Sequence, residues 1–226
     1  MSALAGRTTR IMNGAGNRIT VLDLTDSDHI VSGDEARAIA SNPDTSFDQL
    51  MVLHAPRMEG TASLIRIYNT DGSLAEACGN GTRCVAWHLD ETLGVAQNRM
   101  VETAAGLLAI TKENTPLTYT VDMGMPRFDW QSIPLSEPFQ DTRFIELHVG
   151  PAGDPILTSP AVANIGNPHA VFWVDDVNAI ALDKIGPMLE HHPLFPERAN
   201  ISIVHVVDRQ ALIMRTWERG AGLTLA

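Results

Sequence analysis

The chain has 226 residues, 44% of them hydrophobic, which is enough apolar material for a real core in one large domain or two small ones. A formal net charge of −11, with only 16 Lys and Arg against 27 Asp and Glu and no basic patch, argues against a nucleic-acid partner. No apolar run approaches the roughly 20 residues of a membrane span, and the N-terminus lacks the apolar centre of a signal peptide, so a soluble cytoplasmic protein with no membrane partner is expected.

Thr8–Met12 and Arg18–Leu24 predict two short strands around the turn Asn13-Gly14-Ala15-Gly16-Asn17. The turn is not a dinucleotide loop, because Ile19 stands where the third glycine belongs and no helix pattern follows. By pattern alone Asn17 is a turn residue tolerating a left-handed backbone. Asp34–Ser41 predicts a short helix, capped by Ser32 or Asp34 and stopped by Asn42-Pro43. Phe47–Leu53 predicts a strand in which Gln49 is an exposed polar position. Residues 63–69 alternate as a strand, Asp71-Gly72 turns, and Val85, Leu89 and Leu93 mark a helix over residues 81–93. Strands at Met100–Thr103, Leu107–Lys112 and Thr118–Met123 then close the first half, with turns at Ala105-Gly106 and Asn114-Thr115-Pro116.

Gly124 to Pro138 holds Pro126, Pro134 and Pro138 and little periodicity, so it predicts a link between lobes at 1–124 and 125–226. Beyond it lie predicted strands at Arg143–Val149, Ala170–Val174, Asn200–Val207 and Ala211–Trp217, and a helix within Asn178–His191. The expected class is α+β. Without a clear sequence repeat, the similar make-up of the halves still predicts a pseudo-symmetric pair with a ligand cleft between them.

The densest stretch is Asn69-Thr70-Asp71-Gly72-Ser73 followed by Ala77-Cys78-Gly79-Asn80-Gly81-Thr82-Arg83-Cys84. It places Cys78 where a helix begins. The first backbone N–H groups of a helix have no partner within it and carry its positive end, which favours thiolate over thiol. Gly79 and Gly81 allow close approach to those groups, and Asn80 offers a hydrogen bond, so a carboxylate cradle beside a basic thiolate is one reading. A buried, inert cysteine in a glycine-rich turn is the other. Cys84 follows about 1.7 helical turns later on a different side and reads as core. Two cysteines this close form neither a disulfide framework nor a zinc site, so reduced thiols and no metal are expected.

That stretch resembles the signature of the diaminopimelate epimerases, cofactor-independent amino-acid epimerases of bacterial lysine and cell-wall synthesis. The resemblance extends to Met12-Asn13-Gly14-Ala15-Gly16-Asn17, Phe47-Asp48-Gln49, Val121-Asp122-Met123-Gly124, Gly166-Asn167-Pro168-His169, Phe195-Pro196-Glu197-Arg198-Ala199-Asn200 and Glu218-Arg219-Gly220-Ala221-Gly222. It implies two lobes, each a curved mixed sheet or barrel around a central helix, a diaminopimelate substrate and no cofactor, and it leaves a homodimer open. It makes Cys78 a catalytic thiol and His169 and Glu218 catalytic aids. Asn17, Gln49, Asn69, Gly79, Asn80, Asn167, Asn200, Glu218 and Arg219 become substrate contacts, with Glu218 and Arg219 at the distal amino-acid end. Read without the resemblance, His169 is a hydrogen-bonded structural histidine, Glu218-Arg219 a solvated pair, and Asn69 and Asn200 turn or cap residues. Arg18 departs from the family, which carries an acidic residue there.

Inverting a carbon next to a carboxylate removes a proton from one face and delivers one to the other, which two opposed thiols acting alternately as acid and base can do. Fixed N–H donors at helix starts stabilise the enolate-like charge without a metal. Cys78 is the first such thiol. The family's second Ala-Cys-Gly motif follows Glu-Arg-Gly-Ala-Gly within a few residues, whereas here the letters stop at Gly222-Leu223-Thr224-Leu225-Ala226. The expectation is a truncated epimerase with an incomplete second lobe, impaired in inverting the α-carbon. Rival readings are a proline racemase or phenazine-type isomerase, a catalytically dead amino-acid-binding protein, and a cysteine hydrolase using Cys78 with His169.

Overall fold

A computed structural model of the chain describes Leu4, Gly6, Arg7 and residues 9–224. The predicted first strand's Thr8 and the terminal Leu225 and Ala226 lie outside the described residues. The chain divides into two compact units that part between Gly124 and Met125. Each is a curved mixed sheet with a helix packed on it. No helix among the described residues is long and apolar enough to cross a membrane.

The first unit runs β1 (Thr9–Gly14), β2 (Asn17–Leu24), α1 (Gly33–Ser41), β3 (Gln49–His54), β4 (Leu64–Asn69), β5 (Leu74–Ala75), α2 (Gly79–Leu93), β6 (Asn98–Thr103), β7 (Gly106–Lys112) and β8 (Tyr119–Asp122). Its strand order is β1-β2-β3-β4-β6-β7-β8, with β5 paired to β4. The two parallel pairs, β2 with β3 and β4 with β6, are the ones crossed by α1 and α2. Helix α2 packs against β1 and β8, the two ends of the sheet, as well as β2 and β3, so the sheet curls around it. Ile19, Met51, Ile65 and Ile67 meet Val85 and Leu89 on that inner face, while Leu22, Leu50, Val52 and Tyr68 pack with Ala36 of α1 on the other. Strand β3 is therefore buried on both faces and reads as a nearly continuous apolar run. Ser32 and Glu35 form a reciprocal capping box that fixes where α1 starts.

The second unit runs β9 (His148–Val149), β10 (Leu157–Thr158), β11 (Ala161–Asn164), β12 (Pro168–Trp173), a 3₁₀ turn (Val177–Ala179), α3 (Leu182–Glu190), β13 (Asn200–Val206), β14 (Leu212–Glu218) and β15 (Gly222–Leu223). Its main sheet is β11-β12-β13-β14-β15, and β9 pairs with β10 apart from it. It repeats the first unit's run of antiparallel pair, helical crossover to a parallel neighbour, and antiparallel pair. Phe172, Leu182, Leu189, Ile201 and Ile203 form the centre of its core.

Helix α3 lies so close to β14 that a Cβ on Gly186 would stand 2.6 Å from the Trp217 ring. Alanine in a helix interior normally stabilises by about 1 kcal/mol over glycine. Here the ring is rigid, and overpacking costs about 1–3 kcal/mol. Gly186→Ala is thus expected to lower the melting temperature by several degrees. An unchanged or raised melting point would show that α3 does not press on Trp217.

Several boundaries differ from the sequence pattern for physical reasons. The segment from Gly124 to Pro138 is no link, because Ile133 and Leu135 are buried in the second core and turn bonds from Ile133 N–H to Asp129 O and Leu135 N–H to Trp130 O hold it there. Arg143–Val149 buries Ile145, Leu147 and Val149 alternately like a strand, yet only His148–Val149 pairs as one. Opposite it stand Pro160 and Ser159, the latter at φ +46°, which cannot extend a ladder. The four-residue β11, directly behind Pro160, is too short to show a strand pattern. Helix α2 begins two residues earlier than its apolar spacing indicates, at Gly79.

Candidate active site

Cys78 is the N-cap of α2, in extended conformation at φ −152°, ψ 102°. Its half-buried Sγ accepts the Gly81 N–H at 3.1 Å, and its carbonyl accepts the Thr82 N–H at 2.9 Å and the Thr82 hydroxyl at 2.8 Å. Sulfur thus occupies the position that a Ser or Asp oxygen usually takes at a helix start, and an N–H donated to it favours the thiolate. The N–H groups of Gly79 and Asn80, the first two of the helix, point out of its end. Gly81 is required for packing rather than for access: a Cβ there would stand 2.5 Å from the buried Met51 sulfur. At Gly79 the same atom would meet only Met123 Sδ, at an ordinary 3.5 Å. Gly14 serves the same close approach from the β1–β2 hairpin, where a Cβ would meet the Asn80 carbonyl at 2.8 Å.

Beside this helix start lies a polar cluster. Asn17 is not the left-handed turn residue; Ala15 and Gly16 take the positive φ values, and Asn17 opens β2 with 1% of its surface exposed. Gln49 is 6% exposed and so is not the surface position its strand pattern indicated. The registers explain both. Ile19 pairs with Gln49, and Gln49 with Asn69, so Asn17, Gln49 and Asn69 share the inner face with Ile19, Met51 and Ile67, at the sheet end where α2 begins. Asn80 Nδ2 donates to Asn17 Oδ1 at 2.8 Å, and Arg83 to Asn80 Oδ1 at 2.7 Å, so the Asn80 side chain braces the helix against β2. Asn69 Nδ2 donates to Ser73 Oγ at 3.1 Å, and Gln49 Nε2 reaches Asn69 Oδ1 at 3.5 Å. Two buried atoms are left over: Asn17 Nδ2, a donor, and Gln49 Oε1, an acceptor, have no partner among the described residues. Such orphans are costly unless a ligand satisfies them. Arg18, the departure noted above, is anchored to the carbonyls of Ser46 at 2.8 Å and Pro43 at 3.1 Å, with its N–H on Asp48.

The second unit holds the other named residues. The tight turn at Gly166, φ +102°, leads through Asn167 into β12, which carries His169. His169 Nε2 lies 2.8 Å from Asn167 Oδ1, and since that oxygen only accepts, Nε2 carries the proton. Burial and then the Arg219 charge hold the imidazole down to about 4, so at neutral pH His169 orients Asn167 as a neutral donor. Asn200 has both ends of its amide engaged, donating to Pro168 O at 2.9 Å and accepting the Arg219 N–H at 3.0 Å. Arg219 is no solvated residue: it is 7% exposed and donates from Nη1 to Glu197 O at 3.1 Å. Glu218 accepts the Thr224 hydroxyl at 3.0 Å.

Glu190 carries no local sequence signal. It closes α3 at 3% exposure and accepts from Trp217 Nε1 at 2.6 Å, the Gly220 N–H at 2.9 Å and Arg198 Nη1 at 3.3 Å. In Leu189-Glu190-His191-His192 it looks like any solvated helix end.

Cys84 is 4% exposed, and burial pushes its thiol up to about 11. Iodoacetamide is therefore expected to modify Cys78 well before Cys84 near neutral pH, as read by peptide mass spectrometry. Earlier labelling of Cys84 would reverse the roles assigned to the two thiols.

The family model for diaminopimelate epimerase matches residues 9–128 and 161–226. Among curated proteins, the diaminopimelate epimerase of Bradyrhizobium sp. strain BTAi1 is 59% identical over all of this chain and 78% of its own length. Those of Nitrobacter hamburgensis and Methylobacterium sp. are 55% and 57% identical, at the same coverage. Among solved structures, a hydroxyproline epimerase from Agrobacterium vitis with bound trans-4-hydroxy-L-proline superposes with a TM-score of 0.65 over 96% of this chain and 72% of its own, at 13% identity. A phenazine biosynthesis protein of Bacillus anthracis follows with a TM-score of 0.57 at 14% identity, covering 97% of this chain and 74% of its own. The two structures share the fold, and the sequence relatives, with the motifs around Cys78, Asn167 and Arg219, place the chain in the diaminopimelate epimerase family.

Proposed function

We propose that the chain acts on diaminopimelate, with Cys78 as the thiolate that removes the α-hydrogen and the Gly79 and Asn80 N–H groups holding the adjoining carboxylate. The observation that carries this reading is the pair of orphaned buried atoms beside the helix start. An unpartnered donor, Asn17 Nδ2, and an unpartnered acceptor, Gln49 Oε1, suit a ligand bearing both a carboxylate and an ammonium group, which is what an amino-acid end offers. Charge building on the carboxylate as the proton leaves is then stabilised by fixed N–H donors. Within the second unit, Asn167, Asn200, Glu218 and Arg219 offer contacts of the kind an amino-acid end takes, where a guanidinium fork suits a carboxylate.

Epimerisation also needs an acid on the opposite face. Cys84 is not that group, with its thiol buried and pushed up to about 11, and His169 is neutral. Cys78 accounts for exchange of the α-hydrogen on one face. Ligand protection tests the reading: LL-diaminopimelate is expected to slow alkylation of Cys78, and L-proline to leave it unchanged. Equal protection by proline would assign the pocket to another amino-acid racemase, and no protection by either would remove the amino-acid site from Cys78.

A further inference from the structure

We propose that Glu190 is a positioning residue for the substrate-binding Arg219, an inference that rests on the diaminopimelate reading of the site. A carboxylate at the last residue of a helix faces the negative end of the helix dipole, and at 3% exposure it has almost no water. Such a group persists only where donors compensate it, and Glu190 has three from three different parts of the second unit. Trp217 Nε1 comes from β14, on Oε2 at 2.6 Å. The Gly220 N–H comes from the turn between β14 and β15, on Oε1 at 2.9 Å. Arg198 Nη1 comes from the loop after α3, also on Oε1, at 3.3 Å.

These three contacts enclose Arg219. Its neighbours on either side along the backbone, Glu218 and Gly220, belong to the turn that Glu190 pins through Gly220. The loop that Glu190 holds through Arg198 presents the Glu197 carbonyl, which takes Arg219 Nη1 at 3.1 Å. Asn200 Oδ1 takes the Arg219 N–H at 3.0 Å. One buried carboxylate thus fixes both the backbone that carries the guanidinium and the carbonyl that aims it. Both oxygens are needed as acceptors, because Trp217 Nε1 and the Gly220 N–H can only donate.

Glu190→Gln keeps the shape but turns one of those acceptors into an NH₂ group, leaving a donor facing a donor. Calorimetry with LL-diaminopimelate is expected to show roughly 10–100-fold weaker binding, as a misaimed guanidinium loses its paired contact. The rate of α-hydrogen exchange at saturating diaminopimelate is expected to stay within about threefold of the parent, since that step belongs to Cys78. Trp217→Phe removes the opposing donor, so the double variant Glu190→Gln with Trp217→Phe is expected to bind within about threefold of Trp217→Phe alone. Should Glu190→Gln not fold, Arg198→Met carries the test, with a roughly 3–10-fold loss of affinity and an unchanged saturated rate. Native affinity in the folded variants, or parallel loss of affinity and saturated rate without rescue in the double variant, overturns the positioning role. A parent chain that binds no diaminopimelate overturns the functional reading itself, and this inference with it.

Discussion

Replacing Cys78 with serine is expected to remove α-hydrogen exchange while leaving the fold intact. The two effects separate because the residue has two jobs. As N-cap it offers an acceptor to the Gly81 N–H, and serine is a better cap than cysteine, so helix α2 should start as before. As base it offers a thiolate, and a serine hydroxyl at the same place does not ionise near neutral pH. Loss of a positioned general base costs about 10²–10⁴-fold in rate. The expected result is a drop of at least that size, with circular dichroism and melting temperature unchanged. Cys78→Ala is a less clean test. It removes the cap together with a half-buried side chain that packs against the first unit's core, and is expected to lose roughly 0.5–2 kcal/mol of stability. If the serine variant exchanges at the parent rate, Cys78 is a cap and nothing more.

Arg219→Lys is expected to weaken diaminopimelate binding by roughly 10–100-fold, far beyond what a like-charge swap implies. Arginine presents a planar fork that can pair with a carboxylate while Nη1 stays on the Glu197 carbonyl. A lysine ammonium at 7% exposure must choose between them, and a lost hydrogen bond to a charged group costs about 1.5–3 kcal/mol. The saturated exchange rate is expected to change little, because removing the α-hydrogen is the task of Cys78. Unchanged binding would place Arg219 outside the site.

The pattern of letters carried much of this. Ser32, one of the two caps the pattern offered beside Asp34, starts α1, and the run from Asn69 to Cys84 marks the turn and the helix start at which Cys78 sits. Cys84 reads as core from its spacing alone and is core. What the pattern could not carry depends on partners distant in sequence. Gln49 reads as exposed until α1 and α2 cover both faces of β3. Ile133 and Leu135 sit in a proline-rich stretch with no period, and only the second unit's core shows that they are buried. Ile145, Leu147 and Val149 alternate as a strand does, but a ladder also needs a partner, and Pro160 and Ser159 deny it one. Arg219 looks solvated beside Glu218 until Asn200 and Glu197 close on it. Glu190 acts through three donors that lie 8 to 30 residues away, which no local motif records.

The most direct measurement of the central claim is deuterium uptake at the α-carbon of LL-diaminopimelate in D₂O, followed by loss of the α-proton NMR signal. The parent chain and a Cys84→Ala variant are predicted to exchange at matching rates, and Cys78→Ser is predicted to show none above the uncatalysed background. Exchange that survives in Cys78→Ser, or an ester hydrolysis that depends on Cys78 with no α-exchange in the parent, would contradict it.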